Sequence, residues 1–152
     1  MHRRLMLKSL FAGGGLFAGF ASARAATTLP GTAKPDAAKV AYHLSDLDKV
    51  AFVLGNIRNH YDGVGGPANV SIVLVVHGPA LKAFRAAGAR PDVAQNVAAF
   101  TKVGLALGAC GNTMKAQDLT LADLLPGFTR LDQGGVVRLA ELQAQGYVYL
   151  RP

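Results

Sequence analysis

The amino-acid sequence predicts an α/β protein, a three-layer α/β/α sandwich around a mainly parallel five-stranded sheet. Three observations lead there. Short apolar runs of strand length alternate with segments whose apolar residues recur at helical spacing. One of those runs, Val70–Val76, is almost continuously β-branched and apolar, the pattern of a strand covered on both faces. Capping residues and Gly/Pro punctuation separate the segments, so each strand returns to the sheet through a helix, and such crossovers build parallel sheets.

The chain opens with Arg3-Arg4 ahead of Leu5-Met6-Leu7-Lys8 and a Gly-interrupted apolar run from Ser9 to Ala21, the pattern of a twin-arginine secretory leader. Ala23-Arg24-Ala25 suits cleavage, so residues 1–25 read as a signal peptide, 26–37 as a flexible tether and 38–152 as the domain. The location this predicts is periplasmic, with no stable membrane span once the leader is gone. Arg3, Arg4, Lys8 and Arg24 leave with the leader and no acid does, so 16 basic residues fall to 12 against 9 acidic, a net of +3. That balance, with no basic stripe, excludes a nucleic-acid partner.

Lys39–Leu44 reads as the first strand, and Ser45 with Asp48 at N3 reads as the cap of a helix. Leu47, Val50, Ala51, Leu54, Ile57 and Tyr61 then form one apolar stripe for packing on a sheet. Phe52, Asn56, Asn59 and His60 point elsewhere and mark a candidate subunit contact, or a solvated face with one stray aromatic. The Gly-rich turn Asp62–Pro67 precedes a strand instead of joining strand to helix, so it is no phosphate loop. After the strand Val70–Val76, Pro79 suits the first turn of a short helix through Ala87, stopped at Gly88. Pro91-Asp92 starts a second whose Val93, Val97 and Phe100 share a face. Leu105–Ala109 is a third strand, Asn112 or Thr113 caps a helix through Gln117, and Thr120 with Asp123 caps another segment ended by Pro126-Gly127. Phe128–Leu131, a helix from Val136 to Gln145, and Tyr147–Leu150 complete the alternation.

In parallel sheets, ligands gather beyond the carboxyl ends of the strands, where helix N-termini point. His43, His77 and the sole cysteine, Cys110, lie at or near three such ends and share one rim if their strands are neighbours. A helix starting just past Cys110 favours its thiolate, with Gly111, Asn112, Thr113 and Lys115 beside it. Three alternatives stand beside this: Cys110 as a buried structural residue, His43 in the core, and His77 merely closing a turn. A soft-metal site of Cys110 with His43 or His77 matches no zinc spacing. No acidic pair, Ser-His-Asp set, H-E-x-x-H helix or dinucleotide fingerprint is present, so hydrolase and dehydrogenase chemistry are unsupported and no cofactor is expected.

From about Lys39 to Pro152 the chain resembles the DsrE/DsrF-type proteins of sulfur oxidation and relay. The resemblance is carried by Leu54–His60 (LGNIRNH), Val75–Leu81 (VVHGPAL), Ala109–Thr113 (ACGNT), Leu124–Gly127 (LLPG) and the ending Leu142–Pro152. It implies a compact five-stranded α/β fold, assembly into trimers or hexamers, and a cysteine that carries sulfane sulfur as a persulfide, at the position of Cys110. The implied partners are a sulfane-sulfur donor and a thiol acceptor. The characterised relays are cytoplasmic, so their acceptors, including tRNA thiolation, do not carry over to an exported chain. Function therefore reads as periplasmic sulfur handling on Cys110, with His77 or His43 steering protonation. A non-catalytic oligomeric binding or regulatory module with a structural Cys110 is the alternative.

Overall fold

The computed structural model describes residues 37–152, so the leader and the tether up to Asp36 lie outside the described residues. Five strands form one sheet: β1 (Ala38–Leu44), β2 (Val70–Val76), β3 (Ala106–Cys110), β4 (Phe128–Leu131) and β5 (Val148–Leu150). Their spatial order is β4-β3-β2-β1-β5, and every pairing is parallel, as the β-α alternation predicts. The α-helices are α1 (Val50–Gly63), α2 (Pro91–Lys102), α3 (Gly111–Ala116) and α4 (Gly135–Ala144).

Strand periodicity divides the side chains between two unequal faces. Val40, Tyr42 and Leu44 of β1 and Ile72, Leu74 and Val76 of β2 share the main core with α1, α2, Leu81 and Phe84. On the other face Ala41 and Val75 meet Leu139 and Leu142 of α4 in a smaller cluster. Helices thus cover both faces, and α4 packs against β1, β2, β3 and β5. The sequence predicts β2 to be covered on both sides; instead Ser71 is exposed and Val73 half-buried, because α4 reaches Val75 near the strand's end and leaves its start open.

Several local boundaries differ for identifiable reasons. A 3₁₀ turn at Leu47–Lys49 leads into α1 in place of a helix capped by Ser45. Ser45 is engaged elsewhere: its carbonyl accepts from the Ala80 N–H at 3.0 Å and its hydroxyl from Arg151 at 3.1 Å. The tighter turn shifts the helical phase, so Val53 joins the buried stripe while Leu47 and Ala51 stay exposed. The segment expected as an α-helix over 80–87 is a 3₁₀ helix, Gly78–Phe84. Its last carbonyl, on Phe84, is taken by the Leu125 N–H, and the Ala86 N–H donates to Asp123, each at 2.8 Å, so the ladder of an α-helix cannot continue. The Thr120 segment is also a short 3₁₀ turn, with the predicted capping intact: the Asp123 carboxylate accepts from the Thr120 N–H at 2.8 Å and its hydroxyl at 2.7 Å. Helix α2 buries Val93, Val97 and Phe100 as their spacing predicts. Among the described residues no helix is long and apolar enough to cross a membrane.

Candidate functional site

Strands β1, β2 and β3 are consecutive in the sheet, and this brings His43, His77 and Cys110 to one carboxyl rim. His43 is in register with Val75, and Val76 with Ala109, so His77 follows the end of β2 beside Cys110, the last residue of β3. Odd-numbered β1 and even-numbered β3 positions turn to the α4 face, which places His43 and Cys110 on the same side of the sheet.

The helix after β3 begins earlier than the sequence predicts. Gly111 is its first residue and Cys110 itself occupies the N-cap position, so the cap does not fall at Asn112 or Thr113. The thiol makes no close capping bond and its residue is 6% exposed. Burial pushes the thiol up, but the Thr113 hydroxyl and the N–H groups of Thr113, Gly135 and Asn112 outweigh it and hold it below the ordinary thiol value. Two chain segments therefore stand beside one sulfur: the start of α3 and the first residue of α4. Gly135 allows the second approach, since a Cβ there would stand 3.3 Å from the Cys110 Cβ, 3.3 Å from Val75 and 3.5 Å from the His77 Cβ.

Thr113 is held in turn. Its Oγ1 accepts from the Gly78 N–H at 2.9 Å, which leaves the hydroxyl hydrogen available to the sulfur. One turn along α3, Gln117 donates to the Gly78 carbonyl at 2.9 Å. These two bonds fasten the loop after His77 to the helix after Cys110. Lys115 is exposed, and the Asn112 side chain faces Gly134, where a Cβ would come within 2.8 Å of its amide nitrogen.

The histidines form a pair. His43 Nε2 and His77 Nε2 hydrogen-bond directly, the rings stack with centroids 4.7 Å apart, and His43 Nδ1 bonds the Tyr149 hydroxyl at 2.6 Å. Burial, then the neighbouring His77 and Arg151, lower His43 to about 4, against the weaker raising effect of Asp46. His77 is lowered by burial and then by Arg151. Both rings are neutral near pH 7. Arg151 reaches this corner by donating to Ser45 and to Asp46, the latter at 3.2 Å, across an exposed pair that fixes position more than it stabilises.

The candidate contact residues on α1 do not form one group. Phe52 is 55% exposed with the Lys49 ammonium 5.4 Å from its ring centre, and Asn59 is exposed. Asn56 is half-buried, while His60 Nδ1 hydrogen-bonds Tyr42 Oη at 3.0 Å and so turns toward β1. Sequence reasoning missed Gly135, Tyr149 and Arg151. The Gly134-Gly135 pair before a helix was a legible signal; Tyr149 and Arg151 carried none, because their role depends on β5 lying beside β1.

No protein-family model matches the chain, and no curated protein matches it. Among solved structures, a protein of unknown function, MTH1491 from Methanobacterium thermoautotrophicum, superposes with a TM-score of 0.67 at 26% identity, covering 76% of this chain and 99% of that one. The fold is DsrE/F-like. Conserved protein of unknown function BT1422 from Bacteroides thetaiotaomicron (TM-score 0.57, 15% identity, 75% of this chain and 94% of that one) shares this fold. So does the ychN protein from E. coli (TM-score 0.54, 12% identity, 75% and 99%). In this DsrE/F-like domain no group of three or more His, Cys, Asp or Glu among the described residues is arranged to hold a metal ion.

Proposed function

We propose that this chain handles sulfur in the periplasm, carrying sulfane sulfur as a persulfide on Cys110, and belongs functionally with the DsrE/DsrF-type proteins it resembles. The observation that supports the reading is the position of the thiol at the sheet rim, at the N-cap of α3 and against Gly135 of α4, where its value held below that of an ordinary thiol favours thiolate without a metal or a second cysteine. In the reaction the Cys110 thiolate attacks a sulfane sulfur of polysulfide or of a partner's persulfide. One S–S bond forms as another breaks, the shortened polysulfide or the partner's thiolate leaves, and no outside oxidant is consumed. The groups that hold the thiol low then face the charge of the bound persulfide. An acceptor thiolate attacks the outer sulfur and returns Cys110 to its starting state. The assembly that fits is a homo-oligomer, with exposed apolar residues on both sides of the sheet, Phe52 on α1 and Val136 and Val137 on α4.

A second reading, a binding module with a structural cysteine, draws support from the low exposure of Cys110. Intact-mass analysis after polysulfide treatment separates the two. Wild type is expected to gain sulfur that a reductant removes, and Cys110→Ser to gain none. Rapid alkylation of native Cys110 by a small reagent is the matching outcome. A native thiol that resists alkylation, together with no sulfur gain, favours the binding module.

A further inference from the structure

We propose that Tyr149, His43 and His77 form a proton relay that exchanges the Cys110 thiol proton with solvent. This deepens the persulfide reading and rests on it for its role in catalysis, though not for its existence. The need arises from burial: a thiol 6% exposed that must ionise has little direct access to water. The route is a hydrogen-bonded line of three side chains whose inner end lies next to the cysteine. His77 stands beside Cys110, and both pack against Gly135. His77 Nε2 bonds His43 Nε2, His43 Nδ1 bonds Tyr149 Oη at 2.6 Å, and Tyr149 is 38% exposed.

Nitrogen-to-nitrogen contact between two neutral imidazoles admits one proton between them, which leaves two tautomeric arrangements of the line. In one, Tyr149 donates to His43 Nδ1, His43 Nε2–H donates to His77 Nε2, and His77 carries its proton on Nδ1. In the other, His77 Nε2–H donates to His43 Nε2, His43 Nδ1–H donates to Tyr149 Oη, and His77 Nδ1 is a free base. His77 Nε2 is taken by His43, and among the described residues His77 Nδ1 has no hydrogen-bond partner, so Nδ1 is the end of the line left to exchange a proton. Starting from the second arrangement, the Cys110 proton passes to His77 Nδ1 when the two neighbouring side chains meet. The Nε2 proton of His77 moves to His43 Nε2, the Nδ1 proton of His43 moves to the phenol oxygen, and the phenol proton leaves to water. One proton departs, the line ends neutral in the first arrangement, and the negative charge rests on the Cys110 sulfur. The reverse sequence reprotonates the thiol after sulfur has gone.

The ionisable groups facing the pair are Tyr149 from β5, Arg151 just past it and Asp46 from the β1–α1 link, with Cys110 at the end of β3 next to His77. Arg151 opposes a lasting imidazolium, which suits a relay that passes protons without storing them.

The test is Tyr149→Phe, read by nitrogen NMR of the imidazole rings at pH 7 and by the rate of sulfur uptake from polysulfide. Removal of the phenol is expected to change the tautomer ratio of both histidines together and to slow uptake about tenfold, with recovery on adding free imidazole as a small proton carrier. A response confined to His43, or slowed uptake that imidazole does not restore, overturns the relay. If wild type takes up no sulfur, the persulfide reading fails, while joint movement of the two histidine signals in Tyr149→Phe still decides the relay.

Discussion

Acidification from pH 7 to about 4.5 is expected to destabilise the domain by on the order of 1 kcal/mol through His43, a half-buried ring partly screened by solvent, in advance of general carboxylate titration. His43 falls from an ordinary 6.5 to about 4 in the folded chain, first because burial disfavours its cation and then because His77 and Arg151 add positive charge nearby. The folded state thus holds His43 neutral at a pH where the unfolded chain protonates it. A depressed folded value contributes stability that is fully present above 6.5 and lost as pH falls through the window toward 4. His77 is lowered in the same direction and acts in the same sense. Denaturant midpoints at pH 7 and pH 4.5 measure the loss, and His43→Gln is expected to flatten the difference. An unchanged pH slope in His43→Gln removes His43 as the cause. Cys110 obeys the same sign at higher pH: its lowered folded value adds stability as pH rises past it, so Cys110→Ala is expected to lose that alkaline gain.

The elements most legible in the sequence were those fixed by their own side-chain pattern. The β-branched run gave β2 with its bounds intact, and Val93, Val97 and Phe100 gave the buried face of α2. The segments over 45–49 and 78–86 were illegible as 3₁₀ turns because their hydrogen bonds go to distant chain, Ser45 to Ala80 and Phe84 to Leu125. The site divides in the same way. Placing Cys110 and the two histidines at strand ends needed only the β-α alternation, whereas pairing His43 with His77 needed β1 next to β2. Tyr149 and Arg151 needed β5 on the far side of β1, a non-local choice that periodicity does not encode. Gly135 lies between these cases: a glycine pair ahead of a helix hints at close approach, but only the fold names the sulfur it approaches.

Two glycines on β3 and α3 make the strongest contrast between a steric demand of the fold and one of the site. At Gly111 an added Cβ would stand 2.8 Å from the Leu131 backbone oxygen and 3.3 Å from Arg130 Nε. The first obstacle is the carbonyl that ends β4, held by the Gly134 N–H at 3.0 Å in the turn that follows, so relief requires α3 to move away from β4. Gly111→Ala is expected to cost about 2–3 kcal/mol, the range for overpacking where backbone has to yield. Because Gly111 begins the helix that Cys110 caps, the same movement carries Thr113 off the sulfur and loosens its bond from Gly78. The expected result is a folded, less stable protein whose Cys110 alkylates about tenfold more slowly at pH 7, since the thiol rises once its donors withdraw. Gly108→Ala is the control. Its Cβ would also come within 2.8 Å of Leu131, but of a methyl at the far end of the side chain, which can turn aside. It is expected to cost under about 1.5 kcal/mol and to leave the alkylation profile in place. Equal losses of stability with equal shifts in thiol reactivity would mean that the β4 backbone does not set the position of α3, and that the low thiol value has another origin than the donors gathered there.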